Sequence, residues 1–207
     1  METAATPAEG RIAYPIRGAL YLNLTNACTL RCRFCPKHQG SWVVGGHPLE
    51  LARGPAFEEV VAAVGDPRPY REVVFCGLGE PTLRLGLLLR VADWLKGQGV
   101  ARVRLNTDGL ANLVHGRDVT PELAGRIDAV SVSLNAQDEA TYVRHCAPPL
   151  PGAYAACKAF IRAATAHVPE VVATALEGLP GVDVEACRRI AEGLGARYRR
   201  RTYGKVG

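Results

Sequence analysis

Apolar and polar side chains alternate along residues 18–25 and 129–135, which is the pattern of a β-strand with one face in a core. Each stretch has an apolar face and a polar face: Leu20, Leu22 and Leu24 lie opposite Tyr21, Asn23 and Thr25, and Val130, Val132 and Leu134 lie opposite Ser131, Ser133 and Asn135. Short apolar or alternating runs predict four further strands, at residues 72–76, 102–106, 170–176 and 197–203. Residues 11–16 are expected to form a short extended lead-in.

Segments with the periodicity of amphipathic helices lie between these strands. The predicted helices cover residues 57–64, 85–95, a segment that begins with Thr120 as N-cap, a segment from about 138 to before Pro148, and residues 153–167 and 183–194. Glycines and a proline predict a loop at residues 40–54. Because strands and helices alternate, we expect a parallel sheet with right-handed crossovers.

The polar faces of the strands indicate how the sheet is shaped. Central strands of an open doubly wound sheet are covered on both faces and are apolar throughout. Here one face stays polar, so we expect a curved sheet whose concave lumen is lined by Tyr21, Asn23, Ser133 and Asn135. The prediction is an α/β fold, a partial open (β/α)6 TIM-like barrel with a parallel sheet, as a single domain over residues 14–207 after a tail at residues 1–13.

The composition indicates the general class of protein and its cellular compartment, but it does not identify a function. The 207 residues are 48% hydrophobic and 22% charged, and the net charge of +5 favours an anionic substrate or partner without requiring nucleic acid. Seven cysteines, three of them crowded together, argue against a disulfide framework and favour a reducing compartment. With no signal peptide and no apolar run of about 18 residues, the sequence predicts a cytoplasmic protein without a membrane span.

The crowded cysteines, Cys28, Cys32 and Cys35, follow the first predicted strand with the spacing C-x3-C-x2-C. A structural zinc site needs four ligands, so His38 or His47 would have to supply the fourth. A cuboidal iron–sulfur cluster normally takes one thiolate per iron, and three thiolates leave one iron open for chemistry. The residues alone are therefore compatible with three interpretations: an iron–sulfur cluster, a zinc loop, or three unrelated thiols in the core.

This spacing, with Phe34 before the last cysteine, resembles the radical S-adenosylmethionine (SAM) superfamily. The resemblance runs from about Tyr14 to Tyr203 and is closest to the small single-domain TatD-associated members, through residues 21–28, 77–82 and 131–136. It implies that the three cysteines are the catalytic metal ligands of a [4Fe-4S] cluster. In that family the open iron chelates SAM, and Phe34 would lie beside the bound cofactors.

Active-site residues of α/β barrels lie at the carboxyl ends of the strands, and the candidates here follow that rule. The resemblance assigns SAM contacts to six residues: Gly77, Gly79, Glu80, Asn106, Ser133 and Asn135. The first three are similar to the family's Gly-Gly-Glu segment, which holds the methionyl ammonium, although Leu78 separates the two glycines here. Ser133 and Asn135 resemble the position that contacts ribose, whereas the turn after Asn106 has a purely structural alternative.

The last predicted strand carries four arginines in five residues. One interpretation is a charged edge strand that is protected from aggregation. The other is that Arg201 and Tyr203, near the end of the strand, bind an anionic group of the substrate.

The resemblance implies an enzyme that cleaves SAM and abstracts hydrogen from an unidentified substrate, with an electron donor such as flavodoxin or ferredoxin. The substrate classes that fit are an anionic small molecule, RNA or a nucleobase precursor, and a protein or peptide that would be activated or matured. The lack of an appended RNA-binding domain and of a methyl-accepting cysteine pair argues against RNA methylation. The alternative of another class is a non-catalytic iron–sulfur or zinc binding module.

Overall fold

The structure, a computed structural model, describes residues 10–203 and contains one large sheet and one small hairpin. The strands are β1 (Ala13–Ile16), β2 (Ala19–Leu22), β3 (Val43–Val44), β4 (His47–Pro48), β5 (Val73–Phe75), β6 (Val103–Thr107), β7 (Ala129–Ser133), β8 (Glu170–Glu177) and β9 (Arg197–Thr202). Residues 1–9 of the predicted tail and residues 204–207 of the predicted domain lie outside the described residues.

The large sheet has the order β1-β2-β5-β6-β7-β8-β9. The six strands from β2 to β9 are parallel, which confirms the predicted parallel α/β fold and the six-stranded partial barrel. The lead-in at residues 11–16 is a seventh strand, β1, which pairs antiparallel with β2. Arg17 and Gly18 both have positive φ, so they join the two strands as a tight hairpin turn whose twist matches that of the strands.

The helices are α1 (Phe57–Val64), α2 (Leu85–Gly97), α3 (Ala111–His115), α4 (Glu139–Cys146), α5 (Ala153–Ala164) and α6 (Val184–Gly193). Helix α6 begins at its predicted cap, since Asp183 accepts hydrogen bonds from the amides of Glu185 and Ala186. The helix predicted at Thr120 is instead a single 3-10 turn (Thr120–Leu123) capped by Val119. Among the described residues, no helix is long and apolar enough to cross a membrane.

One prediction about a connecting segment was wrong in detail, and one short helix was not predicted. The predicted loop at residues 40–54 contains the β3–β4 hairpin, which turns through Gly45 and Gly46, both at positive φ. Helix α3 was not predicted because its five residues are too few to show a helical period. Neither difference alters the barrel.

The two faces of the sheet separate as the alternation predicts. Leu20 and Leu22 of β2, and Leu24 two residues beyond its end, belong to the main core, where they pack with residues of the surrounding helices. Tyr21 belongs to a smaller buried cluster on the other face with Tyr14, Ala19, Leu49 and Val74. The lumen is therefore polar only in part, because the hairpin strand β1 and Leu49 cover its first strands with apolar side chains.

Candidate active site

The cysteine loop follows β2 and is attached to the barrel mouth through its backbone. The amide of Arg31 donates to the carbonyl oxygen of Cys146 at 3.0 Å, and the amide of Arg33 donates to that of His145 at 2.9 Å. Both acceptors lie in the last turn of α4. Helix α4 therefore supports the segment that carries Cys28, Cys32 and Cys35, all three of which are partly exposed.

The environment of two of the thiols disfavours their thiolate forms. Burial raises the pKa of Cys28 to about 12, and the negative charge of Asp108 adds to the effect. A hydrogen bond with Cys146 and then burial raise the pKa of Cys32. Since metals bind thiolates, ligation at these positions must release protons. Sequence reasoning gave no role to Cys146, because it is isolated along the chain.

Gly77 and Gly79 let the turn after β5 approach the base of the cysteine loop. A Cβ atom on Gly79 would lie 2.0 Å from the carbonyl oxygen of Thr25, and one on Gly77 would lie 2.3 Å from Oδ1 of Asn23. Both distances are far shorter than any real carbon contact. The two glycines are therefore required by backbone packing, and this packing places their amides beside the cysteine loop.

Glu80 is 3% exposed, and its carboxylate accepts four hydrogen bonds from the chain. Its Oε1 accepts from the amide and hydroxyl of Thr82 at 3.0 and 2.7 Å and from the hydroxyl of Thr107 at 2.8 Å. Its Oε2 accepts from the amide of Asp108 at 2.8 Å. Four bonds occupy the usual capacity of a carboxylate, so Glu80 would have to give up one of them to hold an ammonium group.

Asp108 is a buried carboxylate that sequence reasoning treated only as part of an Asp-Gly turn. It accepts a hydrogen bond from the hydroxyl of Thr29, inside the cysteine loop, and one from the amide of Leu110 at 3.0 Å. Burial raises its pKa. Its place directly after a parallel strand was a usable signal, because that end of the sheet carries the site.

Asn106 and Ser133, at the ends of β6 and β7, are both partly buried. Oδ1 of Asn106 accepts a hydrogen bond from Nη1 of Arg104 at 2.7 Å, which leaves its amide NH₂ group to donate elsewhere. The carbonyl oxygen of Ser133 lies 3.9 Å from Sγ of Cys157 on the helix side of the sheet. Both residues lie on the lumen face of the strands, as the alternation predicts.

Asn135 is 1% exposed and has a left-handed backbone with φ of 61°. Its Nδ2 donates to Sγ of Cys146 at 3.5 Å, whereas its Oδ1 is buried without a hydrogen-bond partner. An unmet buried acceptor costs about 1–3 kcal/mol, and such backbone strain adds about 1 kcal/mol or more. A donor on a bound ligand would satisfy Oδ1, so this residue fits an amino- or hydroxyl-bearing cofactor.

The three remaining predicted residues lie in different surroundings. Phe34 is partly buried and packs against the main core. Arg201 is partly buried with no partner for its Nε, and burial lowers its pKa although it lies near Cys76 and Cys32. Tyr203 is 45% exposed, and its hydroxyl accepts a hydrogen bond from Gln39 at 3.0 Å. Arg201 thus lies near the cysteine loop inside the barrel, whereas Tyr203 lies at the surface.

The two histidines that could supply the fourth ligand of a zinc site are arranged for other contacts. The ring of His47 contacts Tyr14, with 5.4 Å between centroids, and its Nε2 lies 3.0 Å from the carbonyl oxygen of Pro15. His38 is exposed on the 3-10 turn that follows Cys35. These positions argue against a zinc loop completed by either ring.

Comparison with known proteins agrees with this geometry. The family model described as the radical SAM superfamily matches residues 22–193. "Probable dual-specificity RNA methyltransferase RlmN 1" of Opitutus terrae is 34% identical over 134 residues, which are 60% of this chain and 35% of that protein. "Probable RNA methyltransferase sce1580" of Sorangium cellulosum is 31% identical over 138 residues, which are 61% and 32% of the two chains. The chain thus matches only about a third of the length of these relatives.

Solved structures share the fold at low sequence identity. TYW1 with a lysine-pyruvate adduct bound superposes with a TM-score of 0.62 at 13% identity, covering 91% of this chain and 66% of TYW1. Streptococcus suis SuiB bound to its precursor peptide SuiA superposes with a TM-score of 0.65 at 14% identity, covering 90% and 39% of the two chains. Likenesses at this identity support the partial barrel and leave the reaction open.

Proposed function

Because this chain belongs to the radical SAM superfamily, we propose that Cys28, Cys32 and Cys35 bind a [4Fe-4S] cluster at which the chain reductively cleaves SAM. The superfamily uses this cluster and SAM. When bound, the cluster supplies the electron that splits SAM into methionine and a 5′-deoxyadenosyl radical, which takes a hydrogen atom from the substrate. The main support is the partly exposed three-thiol loop that helix α4 holds at the carboxyl ends of the parallel strands.

The residues around the loop are proposed to bind and orient SAM. The backbone of Gly77–Gly79 would receive its methionyl part, since these glycines bring main-chain polar groups beside the cysteine loop. Glu80 would shape this turn and, by releasing one of its internal hydrogen bonds, accept the ammonium. Asn106 and Ser133 would hydrogen-bond the ribose, and the unpaired Oδ1 of Asn135 would accept from a donor of SAM.

The electron is proposed to come from a small one-electron carrier such as flavodoxin or ferredoxin. Arg31 and Arg33 are exposed on the cysteine loop, and Lys37 is partly exposed on the turn that follows it. A cationic rim of this kind favours encounter with an acidic carrier. Exchange of Arg31 and Arg33 to glutamine is expected to slow reduction by the carrier and to leave reduction by dithionite unchanged.

A second proposal concerns the substrate, for which RNA is the first class to test. Two relatives that share more than 30% identity with this chain are named as RNA methyltransferases. Peptides form the next class, since SuiB is solved with its precursor peptide. Incubation of the reduced chain with SAM and with RNA or peptides that carry deuterium would show which class transfers deuterium into 5′-deoxyadenosine.

Cluster formation tests the metal assignment directly. Anaerobic reconstitution of the wild-type chain is expected to give about four iron and four sulfide per chain with a [4Fe-4S] Mössbauer signature. Cys32→Ala is expected to lose the cluster, whereas Cys187→Ala, a buried cysteine on α6 outside the site, keeps it. Bound zinc in place of iron, or equal cluster content in both variants, would overturn the assignment.

A further inference from the structure

A cleft of about 490 Å³ opens at the amino-terminal ends of the barrel strands, opposite the cysteine loop. We call it the arginine cleft because five arginines line it: Arg71, Arg102, Arg104, Arg197 and Arg199. Two carboxylates, Glu72 and Glu170, also line it. Nothing in the proposed SAM chemistry uses this end of the barrel.

The two carboxylates do not neutralise the arginine cleft. Glu72 accepts two hydrogen bonds from Arg104, at 3.0 and 3.1 Å, and lies 3.4 Å from Arg102. Glu170 lies 2.8 Å from Arg102 and 3.5 Å from Arg197. Since five guanidinium groups share two carboxylates, the cleft keeps an excess of three positive charges.

Arg199 is the arginine of the cleft whose charge is least compensated. The residue is exposed overall, although its guanidinium is partly desolvated in the cleft, and its Nη2 donates to the hydroxyl of Ser131 at 3.3 Å on the lumen face of β7. Within residues 10–203, no carboxylate lies within 4 Å of its guanidinium. Burial and the neighbouring charge of Arg104 lower its pKa. A bound anion would stabilise the charge of Arg199, because it replaces the water lost on burial and offsets the repulsion from Arg104.

We propose that the arginine cleft is a binding site for the phosphate group of a small molecule, with Arg199 and Ser131 as its central contacts. A guanidinium group can bind a phosphate through two parallel N–H···O bonds. The N–H donors of Arg199 are available for this, because no carboxylate among the described residues pairs with them. The volume lies within the range of small-ligand pockets, so the site has room for a phosphate together with a nucleoside-sized group. Tyr21 supplies an aromatic wall.

The cleft is linked to the mouth of the barrel through one side chain. Arg104 hydrogen-bonds Glu72 on the cleft side, and its Nη1 donates to Asn106 at 2.7 Å. Asn106 is one of the proposed SAM contacts. A phosphate that draws Arg104 away from Asn106 would therefore change the ribose side of the SAM site, which makes the cleft a place for either a substrate tail or an effector.

The test is a binding measurement on the full chain with its cluster, using pyrophosphate as the probe. Isothermal titration calorimetry at low ionic strength is expected to show one saturable site, weakened at least tenfold by Arg199→Gln. The control Arg162→Gln removes the same charge from an exposed position on α5 and is expected to leave the affinity unchanged. Ser131→Ala, which keeps the charge, is expected to weaken binding about fivefold.

Each outcome decides the proposal. Equal weakening by Arg199→Gln and Arg162→Gln would show general attraction to a basic chain and overturn it, as would the absence of saturable binding by the wild type. Binding of a short RNA that depends on Arg199, without any binding of pyrophosphate, would overturn the small-molecule assignment. Cluster content is read on the same samples, so failure of this site is distinguishable from failure of the proposed SAM chemistry.

Discussion

The side chain of Asn135 donates its Nδ2 to Sγ of Cys146 at 3.5 Å and leaves Oδ1 buried without a partner. Cys146 in turn lies close enough to Cys32, one of the three thiols of the loop, to shift its pKa. The end of β7 is thus connected to the cysteine loop through a single buried thiol. Asn135 has a left-handed backbone there, which asparagine adopts more readily than most residues other than glycine.

Asn135→Gly is expected to weaken SAM binding by about tenfold, which is the value of one hydrogen bond to a charged donor. Glycine tolerates the positive φ, so the change removes the amide without adding backbone strain. Equilibrium dialysis with labelled SAM measures the affinity, and the absorbance of the cluster reports whether the loop is intact. Unchanged SAM affinity with an intact cluster would contradict the assigned role of Oδ1.

Gly79→Ala is expected to destabilise the chain by more than about 2 kcal/mol, because the new Cβ would lie 2.0 Å from one backbone oxygen and 2.7 Å from another. Gly86→Ala is the matched control, since nothing lies within 4 Å of a Cβ at this position in α2. That change should stabilise the helix by about 0.5–1 kcal/mol. Denaturant unfolding measures both; a tolerated Gly79→Ala would refute the close approach of the turn to the cysteine loop.

Glu72→Gln is expected to cost about 3–5 kcal/mol, because it leaves the buried guanidinium of Arg104 without a counter-charge. Both side chains are about one-tenth exposed. The control Glu177→Gln breaks a pair with Arg200 in which both side chains are about half exposed, and should cost less than about 1 kcal/mol. Similar losses of unfolding free energy in the two variants would argue against a buried ion pair beneath the lumen.

Stability should fall as the pH rises from about 5 to 8. Burial, with a smaller effect of Asp108, raises the pKa of Glu80 from 4.5 to about 8. The folded state therefore binds this proton more tightly than the unfolded chain does, so the stabilisation is complete below pH 4.5 and is lost as the pH passes 8. A fall in melting temperature of at least about 3 °C, the effect of ~1 kcal/mol at this size, is expected across that window.

Glu80→Gln separates this effect from other titrations. Without the carboxyl, the melting temperature should change much less between pH 5 and 8, whatever its absolute value. If the NH₂ group of the new glutamine faces the amide of Asp108, the hydrogen bond from that amide is lost. Some overall loss of stability is therefore expected too. A wild-type profile that is flat over the same range would show that Glu80 is ionised throughout.

The sequence was sufficient to predict those features that depend on a short, regular spacing of residues. Alternation along β2 and β7 predicted which leucines and valines meet the helices, and the cysteine spacing predicted the family. The pairing of β1 was not predictable, because it depends on two consecutive positive-φ residues at Arg17 and Gly18. The likeness to TatD-associated proteins and the boundaries of the domain stay predictions.

Other parts of the site depend on contacts that are distant along the chain. The four donors to Glu80 come from Thr82, Thr107 and Asp108, and no local pattern shows that these groups converge. The contact between Cys32 and Cys146 joins residues more than a hundred positions apart. The sequence could place Arg199 on one face of a strand, but whether a carboxylate faces it is decided by the neighbouring strands.

The proposed SAM chemistry is tested most directly by product analysis of the anaerobically reconstituted chain after reduction with dithionite in the presence of SAM. The wild type and Cys187→Ala are expected to release 5′-deoxyadenosine and methionine in equal amounts, and Cys32→Ala to release neither. A fully loaded [4Fe-4S] chain that binds SAM but forms no 5′-deoxyadenosine would contradict the account and leave a non-catalytic iron–sulfur module.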